Sequence, residues 1–435
     1  MGFEKSLRLR PRFNEIIPGG CHTYAKGDDQ FPEFCAPYIV RGKGSHLWDV
    51  DGNEYIEYGM GLRSVTLGHA YPAVVEAAHA QMLLGNNFNR PATIELECAE
   101  DLLGFIAGAE MVKFAKNGSD VLNGAVRLAR AHTGRDLIAI PAEHPFFSVE
   151  DWFIGTTAIN AGIPQAIKDL TVKFHYNDIA SVKAMFEAHK GKIACVILEA
   201  ERETPPKDNF LHELQRLCRE NGTVFVIDEM ITGFRWDNGG AQKVHGIVPD
   251  LSTFGKAIAN GFSLAALVGK KELMEVGGLH HKKERVWLLS LTHGAENHSL
   301  AAARATMQIY RTEPVIETLR QRGEQLRAGI ERSVAELKLD GYFGVMGKAC
   351  CLLYFTRDPE KKPSQPFRTL FLQETIKRGL LAPQLIVSYS HSEADVRRTV
   401  EAIHEALVVY RKALDEGVGK YLVGRPVAPV YRKFN

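Results

Sequence analysis

Residues 224–235, VFVIDEMITGFR, and 249–261, PDLSTFGKAIANG, decide the fold. In the first, Val224–Ile227 run apolar without alternation into Asp228. In the second, Leu251–Phe254 lead through Gly255 to Lys256. A strand that is apolar on both faces is covered on both, which is the mark of a sheet sandwiched between helices. Outward from this pair, Val112–Lys116, Leu137–Ile140, Ile193–Leu198 and Ala265–Val268 read as further strands. Ser119–His132, Ile179–His189 and Phe210–Glu220 read as helices between them. Strand and helix in alternation predict an α/β unit with a mainly parallel sheet.

On either side the pattern changes. Residues 38–58 alternate apolar and polar around Asp51-Gly52 and predict a hairpin or meander. The string DVDGNEY there begins like a calcium loop but lacks the remaining ligand spacing, so no metal site is expected. After Tyr310, Glu313–Leu337 and Glu393–Glu416 predict long helices framing strand-like pieces such as Cys351–Phe355, a smaller α+β unit. HHKKER at 280–285 reads as a solvated loop, and the chain closes on a basic tail.

The 45% apolar and 24% charged residues of this 435-residue chain are those of a globular protein. Its 53 Lys and Arg against 52 Asp and Glu leave a charge of +1, which argues against a nucleic-acid or anionic-membrane partner. Seven cysteines without a C-x-x-C suggest neither zinc nor a disulfide framework, and a cytoplasmic location is expected. No uncharged apolar run approaches the ~18 residues of a membrane span, and the basic N-terminus has no apolar segment behind it.

Parallel α/β sheets collect ligands beyond the carboxyl ends of their strands. Three such places carry chemistry. At Lys116 a strand gives way to Asn117-Gly118-Ser119 and a helix, a start suited to an anion such as phosphate; an ordinary N-cap with a turn glycine reads the same way. Asp228 stands at a strand end and could hold a metal, pair with a cationic ligand or cap the next element. Its neighbour Glu229 points to the opposite face. Lys256 follows a third strand, where a desolvated amine can form a Schiff base with a carbonyl compound. A phosphate cradle, a strand-end acid and a strand-end amine together match pyridoxal 5'-phosphate, which needs an anion site, a lysine for its aldehyde and an acid beside its pyridine nitrogen. GMGLRS at 59–64 lacks the final glycine of a dinucleotide fingerprint, and no phosphate-binding G-x-x-x-x-G-K-[ST] occurs.

At these residues the chain resembles the class III pyridoxal-phosphate aminotransferases of fold type one, and most closely their glutamate-1-semialdehyde aminomutase branch. The resemblance runs from about residue 17 to 410, through PGGCHTY, HLWDVDGNEYIEY, LGHAYPAVVEA, KNGSDVLNGAVRLARAHTGRD, VIDEMITGFR, GGAQKVHGIVPDLSTFGKAIANG and LLAPQLIVSYSHSEADVRRTVEA. It implies a large coenzyme domain with a mainly parallel seven-stranded sheet over 66–305, and a smaller α+β domain made by 306–435 with the N-terminal segment 1–65. It implies that Lys256 takes up the coenzyme aldehyde as a Schiff base, that Asp228 pairs with the pyridine nitrogen and that Met230 packs under the ring. Asn117, Gly118 and Ser119 would bind the phosphate, with Thr292 reaching it from the partner subunit of a homodimer. Phe146 or Phe147 falls where the family stacks a tyrosine, and Glu199 matches a glutamate near the coenzyme.

Departures from the family pattern bear on the substrate. Lys26 stands where the aminomutases have an arginine that grips a carboxylate, and lysine offers no planar fork. AERETPPKDNF after Glu199 is shortened and loses the asparagine beside the coenzyme's phenolic oxygen. HPFFSVEDWFIGTTAINAGIP replaces a glycine-rich loop. An aminotransferase acting on a small-molecule amino donor and a keto or aldehyde acceptor, sugar-derived or another biosynthetic carbonyl, is therefore expected ahead of the aminomutase itself. A non-catalytic relative would have no need of both Lys256 and Asp228.

Overall fold

A computed structural model describes residues 1–144 and 146–434. Packing divides the chain into two compact units, Pro72–Ile316 and the pair Met1–Tyr71 with Glu317–Asn435. In chain order the strands are β1 (Ile39–Lys43), β2 (His46–Asp49), β3 (Glu54–Glu57), β4 (Met111–Ala115), β5 (Leu137–Pro141), β6 (Thr171–Phe174) and β7 (Ile193–Leu198). They continue as β8 (Val224–Asp228), β9 (Leu251–Phe254), β10 (Ala265–Gly269), β11 (Phe343–Met346), β12 (Cys351–Thr356), β13 (Leu380–Leu381) and β14 (Leu385–Ile386).

Within Pro72–Ile316 a seven-stranded sheet has the order β4-β10-β9-β8-β7-β5-β6. Pairing from β6 through β9 is parallel, and β10 runs against both of its neighbours. The reversal follows from chain length. Only residues 255–264 join β9 to β10, short of the crossover of about a dozen or more residues that a parallel neighbour requires. β7, β8, β9 and β10 are buried along their whole length; in β9 this includes Ser252 and Thr253, whose hydroxyls are hydrogen-bonded to Gln242 and Asp228.

Helices cover this sheet. Gly118–Thr133 starts where the Asn117 side chain accepts the Asp120 N–H at 3.1 Å and stops at left-handed Gly134. It packs Val121, Leu122, Ala125, Leu128 and Ala129 into the core. Phe210–Glu220 buries Phe210, Leu211, Leu214, Leu217 and Cys218, one stripe at helical spacing, and packs on β8. The edge strand β6 has no counterpart among the expected strands, because Thr171–Phe174 is short and only its last residue is buried. The helix expected from Glu313 begins instead at Val315, after Pro314, and a separate helix, Asn297–Thr312, precedes it.

In the other unit, β1, β2 and β3 form the expected antiparallel meander, extended by β13 parallel to β3. A second sheet has the order β11-β12-β14. Phe3, Cys35, Leu47, Tyr55, Ile376 and Leu381 form a core cluster of this unit. Glu393–Glu416 is capped by Ser392, whose side chain accepts the Asp395 N–H while Asp395 reaches back to the Ser392 N–H. Among the described residues no helix is long and apolar enough to cross a membrane.

Candidate active site

The parallel register brings three strand ends side by side. Leu198 of β7 pairs with Ile227 of β8, and Asp228 pairs with Thr253 of β9. Glu199, Asp228 and Gly255-Lys256 therefore leave the sheet along one edge, where such sheets hold ligands. Asp228 is 2% exposed, and its Oδ1 accepts the Met230 N–H at 2.9 Å and the Thr253 hydroxyl at 3.1 Å. Both bonds fall on Oδ1, which leaves Oδ2 for a cation. Burial pushes the Asp228 carboxyl above its ordinary value, and the positive charge of Lys256 is the largest influence pulling it back. Glu229 faces away. Its oxygens accept the backbone N–H groups of Ala241 at 2.8 Å and Gln242 at 2.7 Å, and burial pushes its carboxyl up to about 7.

Lys256 is half-buried and opens the tight turn Lys256–Ala259 with φ +41°, a left-handed conformation that a side-chain-bearing residue adopts under strain. Met230 is wedged between two glycines. A Cβ on Gly255 would lie 2.5 Å from the Met230 sulfur, and one on Gly118 would lie 2.9 Å from it. Gly118 thus joins the helix start at 117–119 to the Asp228 and Lys256 strand ends. At that start Ser119 is buried, with its Oγ accepting the Val149 N–H at 3.0 Å, and Asn117 is exposed.

Of the two phenylalanines, Phe147 is 2% exposed and packs edge-on against Phe153 at 5.7 Å. Phe146 is 45% exposed and keeps a free face, although it too touches Phe153. Thr292 is exposed, and its carbonyl accepts from Asn87 Nδ2 at 3.1 Å. Lys26 belongs to the other unit, exposed at the end of the turn Tyr24–Lys26.

Sequence reasoning missed several groups on the β7 side. His144 is buried against Phe147 and Tyr176, and its Nδ1 accepts the Glu199 N–H at 3.4 Å. Burial pushes its imidazole down to about 3, with the charge of Arg202 acting in the same direction. Arg202 is paired through Nε with Glu199 at 2.7 Å, and Glu201 with His245 at 2.8 Å. Four charges among five residues just past a buried strand, EAERE, were the available signal.

Residues 23–379 match the family model for class-III aminotransferases. The chain is a class-III aminotransferase. The glutamate-1-semialdehyde 2,1-aminomutase of Alkaliphilus metalliredigens is 30% identical, over 94% of this chain and 97% of its own length. The 3-aminobutyryl-CoA aminotransferase of Cloacimonas acidaminovorans is also 30% identical, over 94% and 98%. Among solved structures, the internal-aldimine form of the FumI protein of a Sphingopyxis species, which carries pyridoxal phosphate, superposes with a TM-score of 0.85 at 29% identity, covering 94% of this chain and 97% of that one. The class III aminotransferase is thus a pyridoxal-phosphate enzyme with the type I fold. Its residues fit the coenzyme: a buried carboxylate with an open oxygen, a strained strand-end lysine, glycines that leave no room for a Cβ, and a helix start for the phosphate.

Proposed function

We propose that this enzyme moves an amino group from a donor amine to a keto or aldehyde acceptor in two half-reactions, as a homodimer. The observation that carries the reading is the placement of Asp228, Lys256 and the 117–119 helix start around the shared Met230 wedge. Bound there, pyridoxal phosphate supplies an aldehyde for amine exchange and a ring that accepts the electron pair of the substrate carbon. Asp228 Oδ2 would hold the proton on the ring nitrogen, since Oδ1 is engaged by the Met230 N–H and the Thr253 hydroxyl. Lys256 Nζ, once a donor amine has taken its place, would carry the proton from the donor carbon to the former aldehyde carbon, two atoms further along. The N–H groups at Gly118 and Ser119, with the Ser119 hydroxyl, hold the phosphate. Phe146, with its free face, is the ring-stacking residue of the pair, and Glu199 holds the β7 side of the site through Arg202 and His144.

Support for the dimer comes from exposed apolar residues at Leu83, Leu84, Phe88, Trp287 and Leu291, on stretches tied together by the Asn87–Thr292 bond. A groove of about 430 Å³ runs beside them, lined by Leu96, Phe114 and Leu291 among others. Such a surface is what a second copy would cover, bringing Thr292 to the partner's phosphate. Seven cysteines that form no disulfide favour a cytoplasmic location.

Lys256→Ala should abolish both the visible absorption of lysine-bound coenzyme and amine exchange. A wild-type protein that shows no such absorption with pyridoxal phosphate would falsify the reading. The names of its relatives favour a second reading, isomerisation of glutamate-1-semialdehyde. Incubation with that semialdehyde alone should then give 5-aminolevulinate, and no product would remove it.

A further inference from the structure

The carboxyl end of β7 holds one arginine between two glutamates. Arg202 Nε meets Glu199 at 2.7 Å, and its Nη2 meets Glu203 more loosely at 3.4 Å. The Arg202 side chain is 14% exposed, the Glu199 side chain 5% and the Glu203 side chain 33%. Glu199 is itself anchored, by its N–H bond to His144 and by following Leu198, the register partner of Ile227. The guanidinium is thereby fixed above the strand edge that carries Asp228, and its charge reaches both Asp228 and His144.

A buttress needs only the inner contact. Glu199 alone would neutralise Arg202, whereas Glu203 is a second, longer and more solvated counter-ion, the kind a ligand carboxylate displaces at little cost. Guanidinium presents its N–H groups as a fork, and Nη1 and Nη2 form the edge that grips a carboxylate with two bonds. Nε already serves Glu199, so that outer edge is the one Glu203 partly covers.

We infer that Arg202 binds the carboxylate of an amino-acid substrate, which takes the place of Glu203 on the outer edge of the guanidinium. The inference rests on the coenzyme placement proposed above and narrows the donor to carboxylate-bearing amines. It also supplies, from the end of β7, the planar fork that Lys26 cannot offer.

The test uses holoenzyme and follows the loss of coenzyme absorption as glutamate, alanine, 3-aminobutyrate and amines without a carboxylate are added. Wild type should react with at least one carboxylated donor in preference to the plain amines. Arg202→Gln should raise the half-saturating concentration of that donor by about tenfold or more, with Arg202→Lys between. Glu203→Gln should lower it, which a purely structural Arg202 would not produce. The pH midpoint of the coenzyme absorption should stay where it is in wild type. The inference is overturned by equal reactivity of plain amines, by an unchanged or raised half-saturation in Glu203→Gln, or by a midpoint shift in Arg202→Gln, which would assign the arginine to the coenzyme's phenolic oxygen. Should Arg202→Gln fail to fold, Glu203→Gln decides alone. Absence of coenzyme absorption in wild type would instead strike the placement reading beneath it.

Discussion

The ends of β8 and β9 lie beside the end of β7, yet the two places are built differently. Around Asp228 and Lys256 the packing is steric: Met230 fills the gap between Gly118 and Gly255, and the backbone itself is bent at Lys256. Past β7 the construction is electrostatic, with Glu199, Glu201, Arg202 and Glu203 exchanging charge among themselves and with His245. A coenzyme of fixed outline can be met by shape. A polar substrate that enters and leaves is better met by charges able to change partners, so damage to the two places should differ in kind.

The largest effect is expected at the steric side. Asp228→Asn keeps an acceptor for Met230 and Thr253 but removes the charge proposed to face the ring nitrogen. Turnover should fall on the order of 10²–10³-fold, read in single-turnover half-reactions, with the fold intact. A fall of less than tenfold would show that the pyridine proton is held by something else.

Gly255→Ala isolates shape from charge. Gly255 has φ −172°, an extended backbone open to any residue, so the obstacle is the Met230 side chain, whose sulfur would lie 2.5 Å and whose Cε 3.2 Å from the added Cβ. The same sulfur lies 2.9 Å from where a Cβ on Gly118 would stand, so the side chain shifts toward Gly118 only because that residue is a glycine. Overpacking of this kind costs roughly 1–3 kcal/mol and should show as a lower Tm with weaker coenzyme retention. Met230→Ala in the same chain should restore both, and a double variant no better than Gly255→Ala would refute the wedge.

His144 gives a prediction with a sign. Its folded imidazole stays neutral, pushed down to about 3, while the unfolded residue titrates near 6.5. Below pH 6.5 the unfolded chain takes up a proton that the folded chain refuses, so stability declines as pH falls from 6.5 toward 3, by up to about 2 kcal/mol at pH 5. His144→Gln should flatten that slope between pH 7 and pH 5 in denaturant unfolding. An identical slope would mean that other groups carry the acid sensitivity.

The two places also differ in how readily they are read from residues alone. Asp228 ends an uninterrupted apolar run, Lys256 follows the short strand Leu251–Phe254 and Ser119 opens a helix after another strand, so pattern and position suffice to find them. The same holds for β7, β8 and β9, whose bounds follow their apolar runs. β6, β13 and β14 lack any such pattern: one is a half-covered edge and the other two are residue pairs defined by what they pair with. The reversal of β10 was contained in the shortness of 255–264, a matter of connection length that composition does not display. Phe146 and Phe147 are chemically identical, and only burial separates them. His144 derives its importance from Glu199 at the end of β7, distant in sequence, whereas Arg202 leaves only the local charge run EAERE as its signal.

The smallest effect should come from the electrostatic side. His245 Nε2 meets Glu201 at 2.8 Å, and the Glu201 side chain is 7% exposed, so the pair tethers the turn that carries Arg202. His245→Asn removes that tether without touching Met230 or either glycine. The loss should be about 1 kcal/mol, a factor of about five in half-saturation for the donor amine, with coenzyme retention unchanged. In a Gly255→Ala background, His245→Asn should raise the donor half-saturation by the same factor to within about 0.5 kcal/mol, as independent sites do. Strong non-additivity would mean that Arg202 and the Met230 wedge form one unit, and that shape and charge at these strand ends cannot be separated.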